Sequence, residues 1–342
     1  MNQISSPLRI LAVALVWAGA APLAQAQLDR VYDMDGDNVS GAVTNTSKDG
    51  VQLDKAGNTQ TFMAGEILKI MFEGDPAPLT KAREFALDGQ YESALGELKN
   101  INFDAISREV IKQDAAYYMA MCEANLALAG KAKLDEAVRK TLAFASNNRN
   151  SWHFYDAAKL LGDMALASNN SQKALAYYQS LAQAPSADMK IESRYLQGLV
   201  HLKMGNADAA AAEFDKVLGL KAQTTKTARL QSLCKAGKAV TEAQKGNGEG
   251  GLDATKTLIA EMDPADVELA ARIYNAQGAS YEANDDLEGA IMAYLHTHLM
   301  FSAQPDAHAE ALKKLIELWP QVGKPERAAE ARQELQKRYP GF

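Results

Sequence analysis

Cysteine is scarce in this sequence of 342 residues, which contains only Cys122 and Cys234. Two thiols cannot supply the disulfide framework that stabilises small secreted domains. Both cysteines lie within helix-like segments, and an unpaired cysteine packs as a small hydrophobic residue. We therefore expect two buried free thiols, with a disulfide between them as the alternative in an oxidising compartment.

Basic residues are outnumbered, since Lys and Arg total 36 against 43 Asp and Glu, and the formal net charge is −7. Residues 27–75 are more acidic still, with four basic and nine acidic side chains. A surface of this sign repels a phosphate backbone. The composition therefore predicts that the protein does not bind nucleic acid.

Long hydrophobic runs are missing after the first 26 residues. Residues 1–9 carry one positive charge, residues 10–21 are apolar, and Ala24-Gln25-Ala26 has the small-x-small pattern of a cleavage site. The apolar run is too short for a spanning helix. The sequence predicts a signal peptide over residues 1–26, a periplasmic or secreted mature chain, and no stable membrane insertion after signal removal.

Familiar catalytic motifs are also missing: there is no Gly-x-Ser-x-Gly, phosphate-binding glycine loop, His-Glu-x-x-His or Cys-x-x-Cys. The densest cluster of candidate ligands is His296, His298, His308 and Glu310. Residues two apart on a helix point to nearly opposite faces, so zinc binding there requires His308 or Glu310 to fold back. The sequence predicts no metal, no cofactor and no enzyme activity, with a metal-dependent hydrolase around residues 296–310 as the alternative.

Short alternating segments separated by turn signals fill residues 27–75. They predict five strands, at residues 29–32, 39–44, 51–53, 59–63 and 67–72. Five short strands in so few residues favour a small SH3-like or Sm-like β-barrel. Asp75-Pro76-Ala77-Pro78 then ends the strand pattern and starts a helical one, so the predicted domains are the barrel at 27–75 and helices over 76–342.

The segment Asp33 to Asp37 places three acids around one glycine and raises the question of a calcium loop. An EF-hand loop requires glycine at its sixth position and glutamate at its twelfth. Asn38 and Thr44 stand there instead, and the flanks are strand-like. Asp-Gly between alternating runs is a hairpin signal, so we predict a turn.

The remaining sequence repeats one phrase, in which a turn residue precedes a helix with a small residue in its first turns. The clearest copies are GQYESALGEL, GNADAAAAEF, NDDLEGAIMAY and GKPERAAEAR. A glycine lies twelve residues before the key alanine in three copies, at Gly162, Gly198 and Gly278. Small residues at matched positions let two antiparallel helices pack closely. The glycine-rich stretch at residues 246–251 is predicted to lengthen one turn into a flexible loop.

These residues resemble the tetratricopeptide repeat signature, W-x₂-L-G-x₂-Y followed by A, F and P. The key alanines are Ala94, Ala137, Ala174, Ala210, Ala254, Ala290 and Ala328. The resemblance implies a mainly α fold, a TPR-like α-solenoid of about seven helix pairs preceded by the small five-stranded β-barrel. The phrases DGVQL, GEILKIMFEGDPAPL, GQYESAL and SWHFYDAAKLLGDMAL also make the layout similar to exported proteins of planctomycete-type bacteria.

The resemblance further implies that the first helix of each pair lines a concave groove. The groove positions in that register are Asp156, Lys159, Asp163, Glu192, Tyr195, Leu199, Gln231, Lys238, Thr241, Arg272, Asn275 and Glu282. The set mixes both charges with apolar surface, which suits a polypeptide better than a uniformly charged ligand. The sequence thus predicts an exported, non-enzymatic interaction scaffold whose groove binds a peptide or an envelope protein.

Overall fold

The structure, a computed structural model, describes residues 28–222 and 224–340. The predicted signal peptide lies outside the described residues. The predicted fold class is confirmed, because a five-stranded antiparallel sheet precedes helices that continue to the end of the described chain. Among these described helices, none combines the length and the apolar character needed to cross a bilayer.

All five predicted strands are present. They are β1 (Asp29–Asp33), β2 (Asn38–Ser47), β3 (Gly50–Lys55), β4 (Asn58–Met63) and β5 (Ile67–Met71). Their order in the sheet is β4-β3-β2-β1-β5. β2 is long because it pairs with β1 through residues 38–41 and with β3 through residues 42–47. Pairing passes from β1 to β3 just after Gly41, where a Cβ would lie 2.9 Å from Cγ of Leu53.

The acidic segment between β1 and β2 forms the predicted turn. Oδ1 of Asp33 accepts hydrogen bonds from the backbone N–H groups of Asp35 (3.1 Å) and Asp37 (2.9 Å). Gly36 supplies the positive φ of +86° that closes the turn. The Asp33 carboxylate is therefore engaged in holding its own loop.

Fourteen α-helices follow in the described residues and form seven consecutive pairs. The pairs are α1 (Ala77–Leu87) with α2 (Tyr91–Leu98), α3 (Glu109–Leu128) with α4 (Leu134–Asn147), α5 (Phe154–Ala167) with α6 (Ser171–Ser180), α7 (Ala187–Lys203) with α8 (Ala207–Leu218), α9 (Thr225–Gln244) with α10 (Gly248–Glu261), α11 (Val267–Ala283) with α12 (Leu287–Met300), and α13 (Pro305–Leu318) with α14 (Pro325–Arg338). Cys122 in α3 and Cys234 in α9 are buried free thiols.

The small residues permit close helix packing, but the group that each glycine faces on the second helix is an aromatic ring and not the key alanine. Each predicted glycine faces an aromatic ring one turn beyond the key alanine: Gly162 faces Tyr178, Gly198 faces Phe214 and Gly278 faces Tyr294. A Cβ on Gly278 would lie 2.7 Å from the ring of Tyr294. The key alanines in these pairs are fully buried beside the rings.

Ala254 is a wrong assignment, because its side chain is only half-buried while Gly251 and Thr255 of the same helix are buried. Gly251 lies twelve residues after Ala239, which is the spacing of the other pairs. A Cβ on Gly251 would lie 3.1 Å from the carbonyl oxygen of Ala239 in α9, the partner helix, and 3.0 Å from Cβ of Ser280 in α11. Gly251 is therefore the small contact residue of the fifth pair.

The predicted flexible loop at residues 246–251 is also wrong. α10 begins at Gly248, and the side chain of Asn247 accepts a hydrogen bond of 3.1 Å from the backbone N–H of Gly250. A Cβ on Gly248 would lie 2.5 Å from the carbonyl oxygen of Ser280. Gly248 therefore lets α10 pack closely against α11. These tertiary contacts offset the conformational-entropy cost of placing glycine in a helix.

The sheet and the first helices share one hydrophobic core, which continues from Val31 and Ile70 into Leu79 and Tyr118. At its edge the guanidinium of Arg108, just before α3, contacts both carboxylate oxygens of Asp29 at 2.6 and 3.0 Å. The strands therefore cover the apolar end of the helical array, as the end of a repeat stack requires.

A buried chain of charged groups reinforces this junction. Arg83 of α1 is fully buried, with Nε 2.7 Å from Asp114 and Nη2 3.0 Å from Asp75. Nε2 of His153 lies 2.8 Å from the other oxygen of Asp114. Burial opposes ionisation of Asp114, but Arg83 and His153 outweigh it and lower the pKa of that carboxyl group.

The array curves until its last pair meets its second pair. Gly130, which ends the α3 segment with a φ of +75°, abuts the carbonyl oxygen of Arg338 at the end of α14. Leu134 of α4 and Tyr339 line one crevice at the same contact. The helices therefore complete a turn and enclose a central space.

A central chamber enclosed by the array

The central chamber is the space enclosed by the first helices of several pairs. One cavity of about 240 Å³ is lined by residues of α5, α7, α9, α11 and α13. An adjoining cavity of about 330 Å³ is lined by residues of α3, α5, α7, α11 and α13, among others. Leu166, Leu199, Arg272 and Asp306 line both cavities. Together the cavities reach the size of ligand pockets, about 300–1,000 Å³.

Leucine and valine side chains form one wall of the chamber. Leu199 and Leu202 are contributed by α7, and Leu233 and Val240 by α9. Leu199 lies one turn from Leu202 on α7, and α9 packs beside α7. The wall is thus a continuous apolar surface built by two neighbouring helices.

A fixed ion pair lies opposite this wall. Nη2 of Arg272 in α11 lies 2.5 Å from Oδ2 of Asp306 in the first turn of α13. Burial opposes the charge on both side chains, but each charge stabilises the other, so the pKa of Arg272 is raised and that of Asp306 is lowered. Both groups stay ionised within the chamber.

Within the described part of the chain, two buried polar atoms near the chamber have no hydrogen-bond partner, namely Nε of Arg272 and Oδ1 of Asn275. The amide nitrogen of Asn275 donates to the carbonyl oxygen of Ala307 (2.9 Å) and lies 3.3 Å from Glu310. Buried polar atoms are normally hydrogen-bonded, so these two unpaired atoms make the structure beneath this part of the chamber wall unusual.

A second cluster of charged side chains lies where α5 borders the chamber. Nζ of Lys159 is 3.3 Å from Asp163 and 3.9 Å from Glu192 of α7. Tyr178 donates a hydrogen bond of 2.7 Å to Asp163. Asp163 raises the pKa of Lys159, while desolvation raises the pKa of Asp163 despite that cation. Lys159 and Lys226 outweigh burial and lower the pKa of Glu192.

The structure divides the predicted groove residues into two groups. Those that line the chamber are Lys159, Asp163, Leu199, Arg272 and Asn275. Those that do not line it are Asp156 beside His153, Glu192 between Lys159 and Lys226, Tyr195 and Thr241 in the core, Gln231 with the carbonyl of Leu220, Lys238 with Asp215, and Glu282 with Tyr294. As binding residues, all of them stay predictions.

Sequence reasoning missed the contribution of α13, which supplies Asp306, Glu310 and Lys313 to the chamber. The register of neighbouring repeats describes contacts between consecutive pairs only. The curvature that brings the seventh pair opposite the third is not visible in that register. Leu199 was predicted, and the further leucines Leu202 of α7 and Leu233 of α9 could have been found from the sequence, since their helical spacing marks an apolar stripe.

The four candidate ligands of the histidine-rich region do not converge on one point. Glu310 faces the chamber, and His296 stacks on Tyr274 with ring centroids 4.6 Å apart. His298 and His308 instead meet each other, with Nδ1 and Nε2 2.8 Å apart. Glu334 of α14 completes a group whose donor atoms lie within 4.8 Å of one another.

Comparison with known proteins gives a fold relationship. No family model and no curated protein matches the chain. A solved tetratricopeptide repeat protein from Parabacteroides merdae is 18% identical, with a TM-score of 0.51 over 76% of this chain and 91% of that one. The Rap conjugation gene regulator of plasmid pLS20, solved with the Phr* peptide, is 13% identical, with a TM-score of 0.43 over 77% of this chain and 97% of that one. The first likeness supports a TPR-like helical fold.

Proposed function

We propose that this protein is a non-enzymatic interaction scaffold that holds a peptide or a segment of a protein in the central chamber. The observation that carries the proposal is the combination of an apolar wall with the polar lining residues Arg272, Asn275 and Asp306. A peptide offers both apolar side chains and a backbone that donates and accepts hydrogen bonds. A uniformly charged ligand would leave the wall of Leu199 and Leu233 unused.

The paired charges favour a ligand without strong net charge. Arg272 is neutralised by Asp306, and Lys159 lies between Asp163 and Glu192. Desolvating a charged ligand group beside pairs that are already satisfied costs free energy that little attraction offsets. We therefore expect apolar residues of the partner to occupy the chamber.

Site-specific photocrosslinking tests this proposal. A photoreactive phenylalanine analogue replaces Leu202 in the chamber, and in a matched variant it replaces Leu142, a leucine on α4 that is 38% exposed. Both variants are expressed in the native host, irradiated and analysed by mass spectrometry. We expect a defined polypeptide adduct from position 202 and none of the same mass from position 142.

Equal adducts from both positions, or none from position 202, would contradict the proposal. Adding Leu199→Glu to the Leu202 variant places a charge on the apolar wall and is expected to reduce the adduct at least tenfold. Circular dichroism confirms that this variant is folded.

We also propose that the chain is exported and acts in the periplasm or outside the cell. The support is the charged, apolar and small-residue pattern of residues 1–26. Fractionation with N-terminal sequencing is expected to find a mature chain that begins at Gln27. Recovery of uncleaved protein in the cytoplasm would overturn this part of the proposal.

A further inference from the structure

Three helices bring metal-binding side chains together outside the central chamber. His298 lies on α12, His308 on α13 and Glu334 on α14, and one donor atom of each lies within 4.8 Å of the others. Nδ1 of His298 is 2.8 Å from Nε2 of His308, and the two rings are parallel with centroids 5.1 Å apart. Two unprotonated nitrogens cannot face each other at this distance, so a proton or a cation must lie between them.

Neighbouring groups orient each of these side chains. The other nitrogen of His308, Nδ1, lies 2.8 Å from the hydroxyl of Tyr339. Arg338 contacts Oε1 of Glu334 at 3.3 Å, while Oε2 of the same carboxylate faces Nε2 of His298 at 3.9 Å. Metal-binding histidines usually have such a partner on the second nitrogen, because it fixes the tautomer and the ring orientation.

We propose that His298, His308 and Glu334 bind one Zn²⁺ ion. Two imidazoles and one carboxylate form a ligand set that zinc accepts, and a fourth, tetrahedral position is left for water. Zn–N bonds of about 2.0–2.1 Å at a tetrahedral angle place the two nitrogens about 3.3 Å apart. When the metal binds, the N–H between the rings shifts through solvent to the other nitrogen of its own imidazole, and the two nitrogens move apart by about 0.5 Å. Both rings turn so that their lone pairs converge on the ion, and the Glu334 carboxylate turns from Nε2 towards Nδ1 of His298.

The composition of the group selects the class of metal. Imidazole nitrogen suits Zn²⁺ and related late first-row ions, whereas Ca²⁺ and Mg²⁺ require a set of oxygen ligands. The site is reachable, since the side chains of His298 and Glu334 are 21% and 36% exposed while His308 is buried. Arg338 adds a positive charge beside Glu334, so we expect micromolar rather than nanomolar affinity.

Occupation of this site would join the last three helices. The ion would connect α12 and α13 to α14, whose end also contacts Gly130 of the second pair. The consequence is a metal-dependent fastening of the C-terminal helix, which is a structural role and requires no catalytic step.

Zinc titration of the metal-stripped protein tests the inference. Isothermal titration calorimetry is expected to give one Zn²⁺ per chain, and Co²⁺ in its place is expected to give the intense visible absorption of a four-coordinate site. His298→Ala and Glu334→Gln change partly exposed residues and are expected to weaken Zn²⁺ binding at least tenfold. His296→Ala is the matched control: His296 lies on the same helix as His298, but its ring stacks on Tyr274 of α11, so its loss should leave binding unchanged.

The effect of the three substitutions on Zn²⁺ binding decides whether the proposed site exists. Binding that depends on His298 and Glu334 but not on His296 supports the site. Absence of stoichiometric Zn²⁺ binding, or equal weakening by all three substitutions, overturns it. Circular dichroism of each variant shows that a lost signal does not reflect unfolding.

Discussion

At the scale of single residues, glycine positions determine how closely the helices approach. The ring of Phe214 is held between Gly198 of α7 and Gly237 of α9, and a Cβ on Gly237 would lie 2.5 Å from Cζ. The ring therefore cannot move away from one glycine without meeting the other. Interiors packed this tightly respond to a single added carbon.

We predict that Gly198→Ala destabilises the protein by up to about 2 kcal/mol, the cost of overpacking less the gain in helix propensity. The added methyl group would lie 2.7 Å from Cζ of Phe214, and overpacking of this kind costs about 1–3 kcal/mol. The gain in helix propensity, about 1 kcal/mol, offsets only part of that cost. Urea denaturation followed by circular dichroism measures the change.

The matched control is Gly96→Ala in α2. No atom would lie within 4 Å of the added Cβ beyond its chain neighbours and its own helix backbone, so only the propensity gain operates. We expect a stabilisation of about 0.5–1 kcal/mol. Effects of the same sign at both glycines would show that helix propensity, and not packing, governs these positions.

At the scale of elements, capping decides where α10 begins. A glycine run normally indicates a linker, yet Asn247 caps the helix through its side chain and Gly248 packs against α11. Tertiary contacts therefore override the weak helix propensity of this segment. Packing against the neighbouring helices also explains why the small contact residue of the fifth pair is Gly251 and not Ala254.

We predict that Asn247→Ala destabilises the protein by about 1 kcal/mol, since it removes the hydrogen bond to the N–H of Gly250. Asn206→Ala is the control: Asn206 is the residue before α8, with nearly the same backbone conformation, but its side chain makes no capping hydrogen bond. We expect a markedly smaller loss there. Thermal and urea unfolding of both variants would refute the assignment if their losses were equal.

At the scale of the whole molecule, closure of the array turns a groove into a chamber. The last helix contacts the α3–α4 connection at Gly130, and α13 thereby lies opposite α5 and α7. At the other end, the sheet is joined to the helices by Asp29 with Arg108 and by the buried Arg83. Both ends of the repeat stack are therefore covered within the described chain.

We predict that Gly130→Ala opens the array. A side chain at this position would collide with the carbonyl group of Arg338 and displace α14. Small-angle X-ray scattering is expected to show a larger radius of gyration and a larger maximum dimension than in the unsubstituted protein.

Gly89→Ala controls for backbone strain, because Gly89 has a similar φ of +73° after α1 and no atom within 4 Å of an added Cβ. Both substitutions impose the left-handed conformation on alanine, at about 1–2 kcal/mol. Only Gly130→Ala should change the scattering dimensions. Unchanged dimensions in a folded Gly130→Ala protein would show that the contact does not hold the array closed.

The sequence by itself determined the elements of this protein. Alternation between polar and apolar residues locates five strands, and the twelve-residue spacing from Gly162, Gly198 and Gly278 identifies helix pairs. These signals are local, because strand and helix periodicity are properties of neighbouring residues. The same reasoning failed at residues 246–251, where a local turn signal competes with packing against a distant helix.

Only the tertiary structure determines which residues line the central chamber. Curvature accumulates over seven pairs, so small rotations between neighbours bring Asp306 of the seventh pair to the same cavity as Asp163 of the third, and the end of α14 beside Gly130. No spacing between residues in the sequence encodes this accumulated curvature. For the same reason Lys159 and Asn275 line the chamber, while Gln231 and Lys238 contact neighbouring elements. The repeat register gives the position of each residue within its helix pair. The superhelix determines whether that position faces the chamber.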